Sequence, residues 1–130
     1  MISSISTSRI RQIAAIFGII AVIFGAFGAH ALKAQLSAPA LENWKTAVNY
    51  QFIHALALLL VATLPTNRLI RLSAWFLVFG IVCFSGSLYL LSIKEILTIN
   101  TALFGPITPI GGLFFIIGWV FLFFSAFKKN

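Results

Sequence analysis

The sequence has 130 residues, of which 61% are hydrophobic and 8% are charged, with a net charge of +7. Soluble domains carry about a quarter charged residues, so nine basic and two acidic side chains are too few to cover a water-soluble globule. This composition excludes an ordinary soluble domain and indicates an integral membrane protein. We attribute the positive charge to membrane orientation and anionic lipid, and do not expect nucleic-acid binding.

Four apolar runs without any charged residue predict four membrane-spanning helices. The runs cover residues 13–31, 47–64, 72–93 and 109–127, and a helix needs about 20 residues to cross the hydrocarbon. With their flanks they predict helices over residues 10–32, 45–64, 69–93 and 107–128. The fold class is therefore all-α, an integral membrane four-helix bundle in one domain over residues 1–130. Thr108 and Pro109 are predicted as the N-cap and first residue of the last helix, and the segment before them as a loop or a short interfacial piece.

The first run also resembles a secretory signal. Arg9 and Arg11 precede an apolar stretch that ends in Ala29, His30 and Ala31. The apolar stretch has about 19 residues, whereas the core of a signal peptide has about 7–15. This length favours an uncleaved membrane helix.

The basic residues predict the orientation of the chain. Those on the side of both termini are Arg9, Arg11, Arg68, Arg71, Lys128 and Lys129, and those on the other side are Lys33, Lys45 and Lys94. Because cytoplasmic loops carry an excess of Lys and Arg, both termini are expected in the cytoplasm. Glu42 and Glu95 then lie on the outer side, and Trp75 and Trp44 are expected as aromatic anchors at the inner and outer boundaries.

Small residues recur at spacings of three and four, and such residues let membrane helices approach closely. The glycines expected at helix contacts are Gly18, Gly25, Gly28, Gly86, Gly111 and Gly112. Packing within the chain and contacts between chains both remain open. We expect a homo-oligomer or a membrane-protein partner, in addition to the lipid bilayer.

Polar residues are predicted to collect in the outer half of the membrane. This polar layer consists of His30, Tyr50, Gln51, His54, Ser85, Ser87, Tyr89 and Thr108. At about 100° per residue, Gln51 and His54 share one face of the second helix with Trp44, Ala47 and Leu58.

His54 is the residue of the polar layer most expensive to expose to lipid. It is expected to face protein, to be neutral at pH 7 and to hydrogen-bond to a group of the second or third helix, with Gln51, Ser85 and Ser87 as candidates. A ligand-binding or proton-linked role for His54 stays open. No acidic residue is placed to complete a catalytic triad and no carboxylate or thiol lies beside the histidines, so no catalytic residue, metal or cofactor is assigned.

Four stretches of the chain resemble a known family. They are "GAFGAHAL" at 25–32, "WKTAVNYQFIHALALL" at 44–59, "FSGSLYLL" at 84–91 and "ITPIGGLFFIIGW" at 107–119. They are similar to the family known as domain of unknown function 423, the YgdD-type small membrane proteins, to which animal transmembrane protein 256 is related. The resemblance implies an uncleaved, multi-pass protein of the bacterial inner (plasma) membrane, and no established activity.

Two functions are compatible with these features. The first is a non-enzymatic structural or accessory membrane protein. The alternative is a binder or carrier of a small amphipathic or lipid-like molecule, held through the polar layer around His54.

Overall fold

Residues 6–127, which the computed structural model describes, contain four helices and no strand. They are α1 (Thr7–Ala29), α2 (Ala38–Val61), α3 (Arg68–Leu97) and α4 (Phe104–Ser125). The all-α class is therefore confirmed. Lys128 and Lys129, which contributed to the predicted orientation, lie outside the described residues.

Three of the four helices are long and apolar enough to cross a membrane. They are α1, α3 and α4, each with a mean hydropathy of 2.2. The helix α2 is not among these candidate spans, and its sequence includes Glu42 and Lys45 as well as the polar Asn49, Gln51 and His54. A membrane crossing by α2 stays a prediction.

The helix bounds differ from the predicted ones at several ends, and local capping explains the start of α2. The helix α2 begins at Ala38, well before residue 45, because the Ser37 hydroxyl accepts a hydrogen bond from the Ala40 N–H at 3.4 Å and Pro39 suits the first turn. The helix α4 begins at Phe104, so the prediction that Thr108 and Pro109 start this helix is wrong. At the other helix ends, α1 stops at Ala29 before residue 32, and α3 continues to Leu97 past residue 93.

The helices pack as two antiparallel pairs, α1 with α2 and α3 with α4, and α2 also packs against α3. Both α1 and α3 start at one end of the molecule, which we call the arginine end because it carries Arg9, Arg11, Arg68 and Arg71. We call the opposite end, with Glu42 and Glu95, the glutamate end. An aliphatic core around Leu58 and Leu77 fills the arginine half, and a second core around Trp44 and Tyr89 fills the glutamate half.

A single π-helical turn, Ile81–Ser85, interrupts α3 where it passes the middle of α2. Such turns insert one residue into an α-helix and often occur at functional sites. The backbone of Phe84, within this turn, lies against Gly111 of α4 so closely that a β-carbon on Gly111 would collide with it. The π-turn and Gly111 therefore bring the backbones of α3 and α4 into close contact.

The glycines divide into those that permit close contact and those that do not. A β-carbon on Gly28 would lie 2.6 Å from Cδ1 of Trp44, so Gly28, like Gly111, fulfils its predicted packing role. At Gly25 and Gly112 the nearest side-chain atoms would be at ordinary distances of 3.5 and 3.8 Å. Gly18 and Gly86 would meet nothing within 4 Å, so they make no close helix contact among the described residues, and a contact between chains stays a prediction for them.

Two glycine contacts were absent from the predicted set. The ring of Phe115 from α4 covers Gly80, and a β-carbon on Gly118 would lie 2.8 Å from Cδ2 of Leu77. At Gly80, Gly111 and Gly118, a glycine on one of the helices α3 and α4 faces a bulky residue of the other, so the two helices pack closely along this contact.

Candidate functional site

One face of α2 carries its polar residues into the protein. Trp44, Ala47, Gln51, His54 and Leu58 are all buried, with Gln51 only 3% and His54 only 5% exposed. This confirms the face predicted from the helical period. Burial of these polar groups in an apolar interior requires that each finds a hydrogen-bond partner.

Gln51 joins three helices. Its Nε2 donates to the backbone carbonyl of Phe17 in α1 at 2.8 Å, and its Oε1 accepts from the Tyr89 hydroxyl of α3 at 2.8 Å. The Tyr89 ring in turn packs edge-on against Phe24 and Trp44, with ring centroids 4.9 and 4.7 Å away. One amide thereby ties both α1 and α3 to α2.

Three further hydroxyls of the polar layer bond within the chain. The Ser85 hydroxyl, in the π-turn, donates to the Ala47 carbonyl of α2 at 2.8 Å. The hydroxyls of Ser87 and Thr108 lie 2.6 Å apart and link α3 to α4. The Ser87 hydroxyl also lies 3.0 Å from the Phe84 carbonyl, and that of Thr108 lies 3.4 Å from the Phe104 carbonyl.

His54 is bonded at both ring nitrogens. Its Nδ1 lies 2.7 Å from the Tyr50 carbonyl, one turn earlier in α2, and its Nε2 lies 3.1 Å from the indole Nε1 of Trp119 in α4. Because an indole N–H only donates, Nε2 must accept and Nδ1 must carry the proton. These contacts define the neutral tautomer, since an imidazolium would set two donors against each other.

The prediction that His54 faces protein and bonds to a group of α2 is confirmed, but its predicted side-chain partners are corrected. The partner within α2 is a backbone carbonyl, and the second partner comes from α4 rather than from α3. Gln51, Ser85 and Ser87, the candidates from the sequence, are all engaged elsewhere. Because His54 also stacks on Phe115 with ring centroids 3.6 Å apart, its ring is held on one face and at both nitrogens.

An open groove of about 630 Å³ lies beside His54, between α2 and α4. Aromatic rings form much of its lining, which consists of Tyr50, His54, Phe84, Pro109, Gly112, Leu113, Phe115, Ile116 and Trp119. Tyr50 and Trp119 are 42% and 43% exposed. The Tyr50 hydroxyl forms no hydrogen bond within residues 6–127, so it is available at the groove.

Two residues differ from their expected places. His30 lies exposed in the turn after α1, and its side chain has no hydrogen bond among the described residues, so the structure does not join it to the rest of the polar layer. Trp44 is 6% exposed and its indole N–H donates to the Phe24 carbonyl at 2.7 Å. The prediction that Trp44 is an anchor at the lipid boundary is therefore wrong.

The Trp44 contact has a signal in the sequence that could have been used. Gly28 lies where the indole approaches α1, and a glycine, which has no side chain, leaves room for a tryptophan on a neighbouring helix.

Within the described part of the chain, no three side chains among His, Cys, Asp and Glu lie close enough to hold a metal ion.

Comparison with known proteins gives one family. Residues 24–112 match the family described as "Protein of unknown function (DUF423)". The chain is 44% identical to a UPF0382 membrane protein of Staphylococcus haemolyticus, over 80% of this chain and 83% of that protein. Its identity to the UPF0382 membrane protein YwdK of Bacillus subtilis is 41%, over 88% and 92% of the two chains. It is 42% identical to a UPF0382 membrane protein of Haemophilus influenzae, over 95% of this chain and 97% of that protein. No solved structure matches the chain.

The bond between Trp119 and His54 can be tested by mutation. Trp119→Phe keeps an aromatic ring but leaves the buried Nε2 of His54 without its donor. Hydrogen bonds between membrane helices contribute about 0.6 kcal/mol on average and at most about 1.7 kcal/mol. We expect a loss of that size in the free energy of unfolding, measured by titration with sodium dodecyl sulfate in mixed micelles.

Trp75→Phe is the matched control, because it removes a half-exposed indole that has no hydrogen bond among the described residues. Equal losses from Trp119→Phe and Trp75→Phe would show that the indole ring, and not its bond to His54, stabilises the protein.

Proposed function

This chain belongs to the family of proteins of unknown function DUF423, and from that premise we propose that it is a non-enzymatic structural or accessory protein of the bacterial inner membrane. The family resemblance read from the sequence is confirmed, and the relatives are named membrane proteins. The proposed form is a four-helix bundle whose helices all cross the bilayer.

The observation that carries this proposal is the internal pairing of the buried groups of the polar layer, whereas the buried Ser73 hydroxyl, outside that layer, has no partner among the described residues. Gln51, Ser85, Ser87 and Tyr89 all bond to other groups of the chain, and both nitrogens of His54 are occupied. An enzyme or an ion path needs polar groups directed at a substrate or along a route across the membrane. In this protein the same groups hold helices to each other, which supports a structural role.

The geometry of α2 supports a fourth crossing. It has 24 residues and at 1.5 Å per residue spans about 36 Å, more than the hydrocarbon thickness of about 30 Å. Its polar side chains are tolerable at that depth because α1, α3 and α4 surround the face that carries them.

The orientation follows from the charges. The arginine end holds both helix starts of α1 and α3 and the end of α4, so we place this end, with both termini, in the cytoplasm. Green fluorescent protein fused after Asn130 should fluoresce, and alkaline phosphatase at the same position should be inactive. Fusions after Asn100, in the connection at the glutamate end, should show the reverse pattern. Active phosphatase after Asn130 would overturn the orientation.

The groove beside His54 favours a second candidate function. Its volume of about 630 Å³, its aromatic lining and the free hydroxyl of Tyr50 suit a small amphipathic or lipid-like molecule. Under this alternative the protein binds or carries that molecule, with the hydroxyl holding its polar group.

One experiment separates the two candidates. The protein is extracted with its surrounding lipid in polymer nanodiscs, and its mass and bound molecules are determined by native mass spectrometry. A structural or accessory protein is expected to appear as a homo-oligomer or with a membrane-protein partner. A strict monomer without a partner would contradict that proposal.

The variant Gly112→Phe tests the alternative in the same measurement. Gly112 lines the groove and has open space around it, with the nearest side-chain atom 3.8 Å from the added β-carbon, so a phenyl ring is expected to fill the groove without disturbing the helices. A small molecule that the original protein retains and Gly112→Phe loses would favour the binding function. Retention of the same molecule by both would exclude the groove as its site.

A further inference from the structure

A second crevice lies at the arginine end, between α1 and α3. It is lined by Ile10, Ile13, Arg71, Ala74, Trp75 and Val78. The crevice is shallow, with room of about 10 Å³, so a ligand would lie along its surface and not inside it. Its walls are apolar except for the single charged side chain of Arg71.

The two helices run in the same direction beside this crevice. Because Ile10 and Ile13 lie opposite residues 71–78, and both helices begin nearby, α1 and α3 are locally parallel. Helix N-termini carry a partial positive charge, and here two of them lie at the same end. The C-termini of α2 and α4, with partial negative charge, lie at the same end, so the net positive charge beside the crevice comes from the arginines.

The arginines are placed one helical turn before the apolar lining. Arg71 is half-buried and precedes Trp75 by four residues, and Arg9 is exposed and precedes Ile13 by four residues. Residues four apart lie on the same side of a helix, one above the other. A ligand lying along the crevice would therefore contact apolar side chains along most of its length. Its end near the helix starts would contact the two guanidinium groups.

The acidic side chains cannot neutralise this end. The only two in the chain are Glu42 and Glu95, and both lie at the glutamate end, near the start of α2 and the end of α3. The positive charge beside the crevice therefore favours an anion from outside the chain.

We propose that this crevice is a binding site for an anionic phospholipid, with Arg71 and Arg9 on its phosphate and one acyl chain against Ile13 and Val78. The planar fork of a guanidinium matches phosphate oxygens, and basic pockets between membrane helices bind acidic headgroups. The positive charges of Arg71 and Arg9 favour a negatively charged ligand. The apolar walls continue into helices that are long and apolar enough to cross a membrane, which selects a lipid over a soluble phosphate. The site is separate from the groove beside His54 and does not depend on the proposed structural role.

The test is lipid binding to the full chain in dodecyl maltoside micelles, followed by native mass spectrometry. The probes are dioleoyl phosphatidylglycerol and dioleoyl phosphatidylcholine, which share their acyl chains and differ in headgroup charge. The original protein is expected to bind the anionic lipid more tightly. Because each basic residue near a membrane surface contributes an attraction equivalent to about a fivefold change in affinity, Arg71→Gln should weaken binding about fivefold. Arg9→Gln, at an exposed position that does not threaten folding, should have a similar effect.

The matched control is Arg11→Gln, which removes the same charge at the same end of α1 but on a face turned away from the crevice. Its affinity for phosphatidylglycerol should stay unchanged. If Arg11→Gln and Arg71→Gln weaken lipid binding equally, the lipid is attracted by the overall positive charge of this end and not by a specific site, which would contradict the proposal. Equal affinity for the two lipids would contradict it as well. Displacement of the lipid by an equal concentration of inorganic phosphate would assign the arginines to a soluble anion and contradict the proposal.

Discussion

The structure depends on pairing the polar side chains of α2 inside an apolar protein. An amide or imidazole that is buried among apolar side chains without a hydrogen-bond partner destabilises the fold, so α2 is stable only when its neighbours supply the partners. Gln51 shows this most directly, because one side chain bonds to α1 through the Phe17 carbonyl and to α3 through the Tyr89 hydroxyl. The three most apolar helices are therefore arranged around the least apolar one.

Close contact between backbones makes the other bonds possible. The π-turn in α3 brings the Ser85 hydroxyl to the Ala47 carbonyl of α2, and the same turn receives Gly111 of α4. Since α4 is held against α3 by glycines, its Trp119 indole reaches across to His54 of α2. The groove is therefore lined both by the bonded pair of His54 and Trp119 and by Tyr50, whose hydroxyl has no hydrogen bond among the described residues.

The sequence predicted the parts that follow from helical periodicity. The apolar runs identify the helices, and the 100° spacing correctly places Gln51 and His54 on the buried face of α2. It could not predict the partner of His54, because that depends on how far α4 leans toward α2, which no local pattern records. An inserted residue leaves no mark in an apolar run, so the π-turn has no signal in the sequence. Hydropathy predicts that α2 begins at residue 45, whereas the cap formed by Ser37 and Pro39 starts the helix at Ala38.

The central claim is that the Gln51 amide couples α2 to its neighbours, and a double-mutant cycle of Gln51→Leu with Tyr89→Phe tests it most directly. The free energies of unfolding of the two single variants and the double variant are measured in the same mixed micelles. The bond predicts a coupling energy of about 0.6 to 1.7 kcal/mol. A parallel cycle of Gln51→Leu with Tyr50→Phe, which removes a hydroxyl without a bond in the described chain, should give a value near zero. A coupling of zero between Gln51 and Tyr89 would contradict the account.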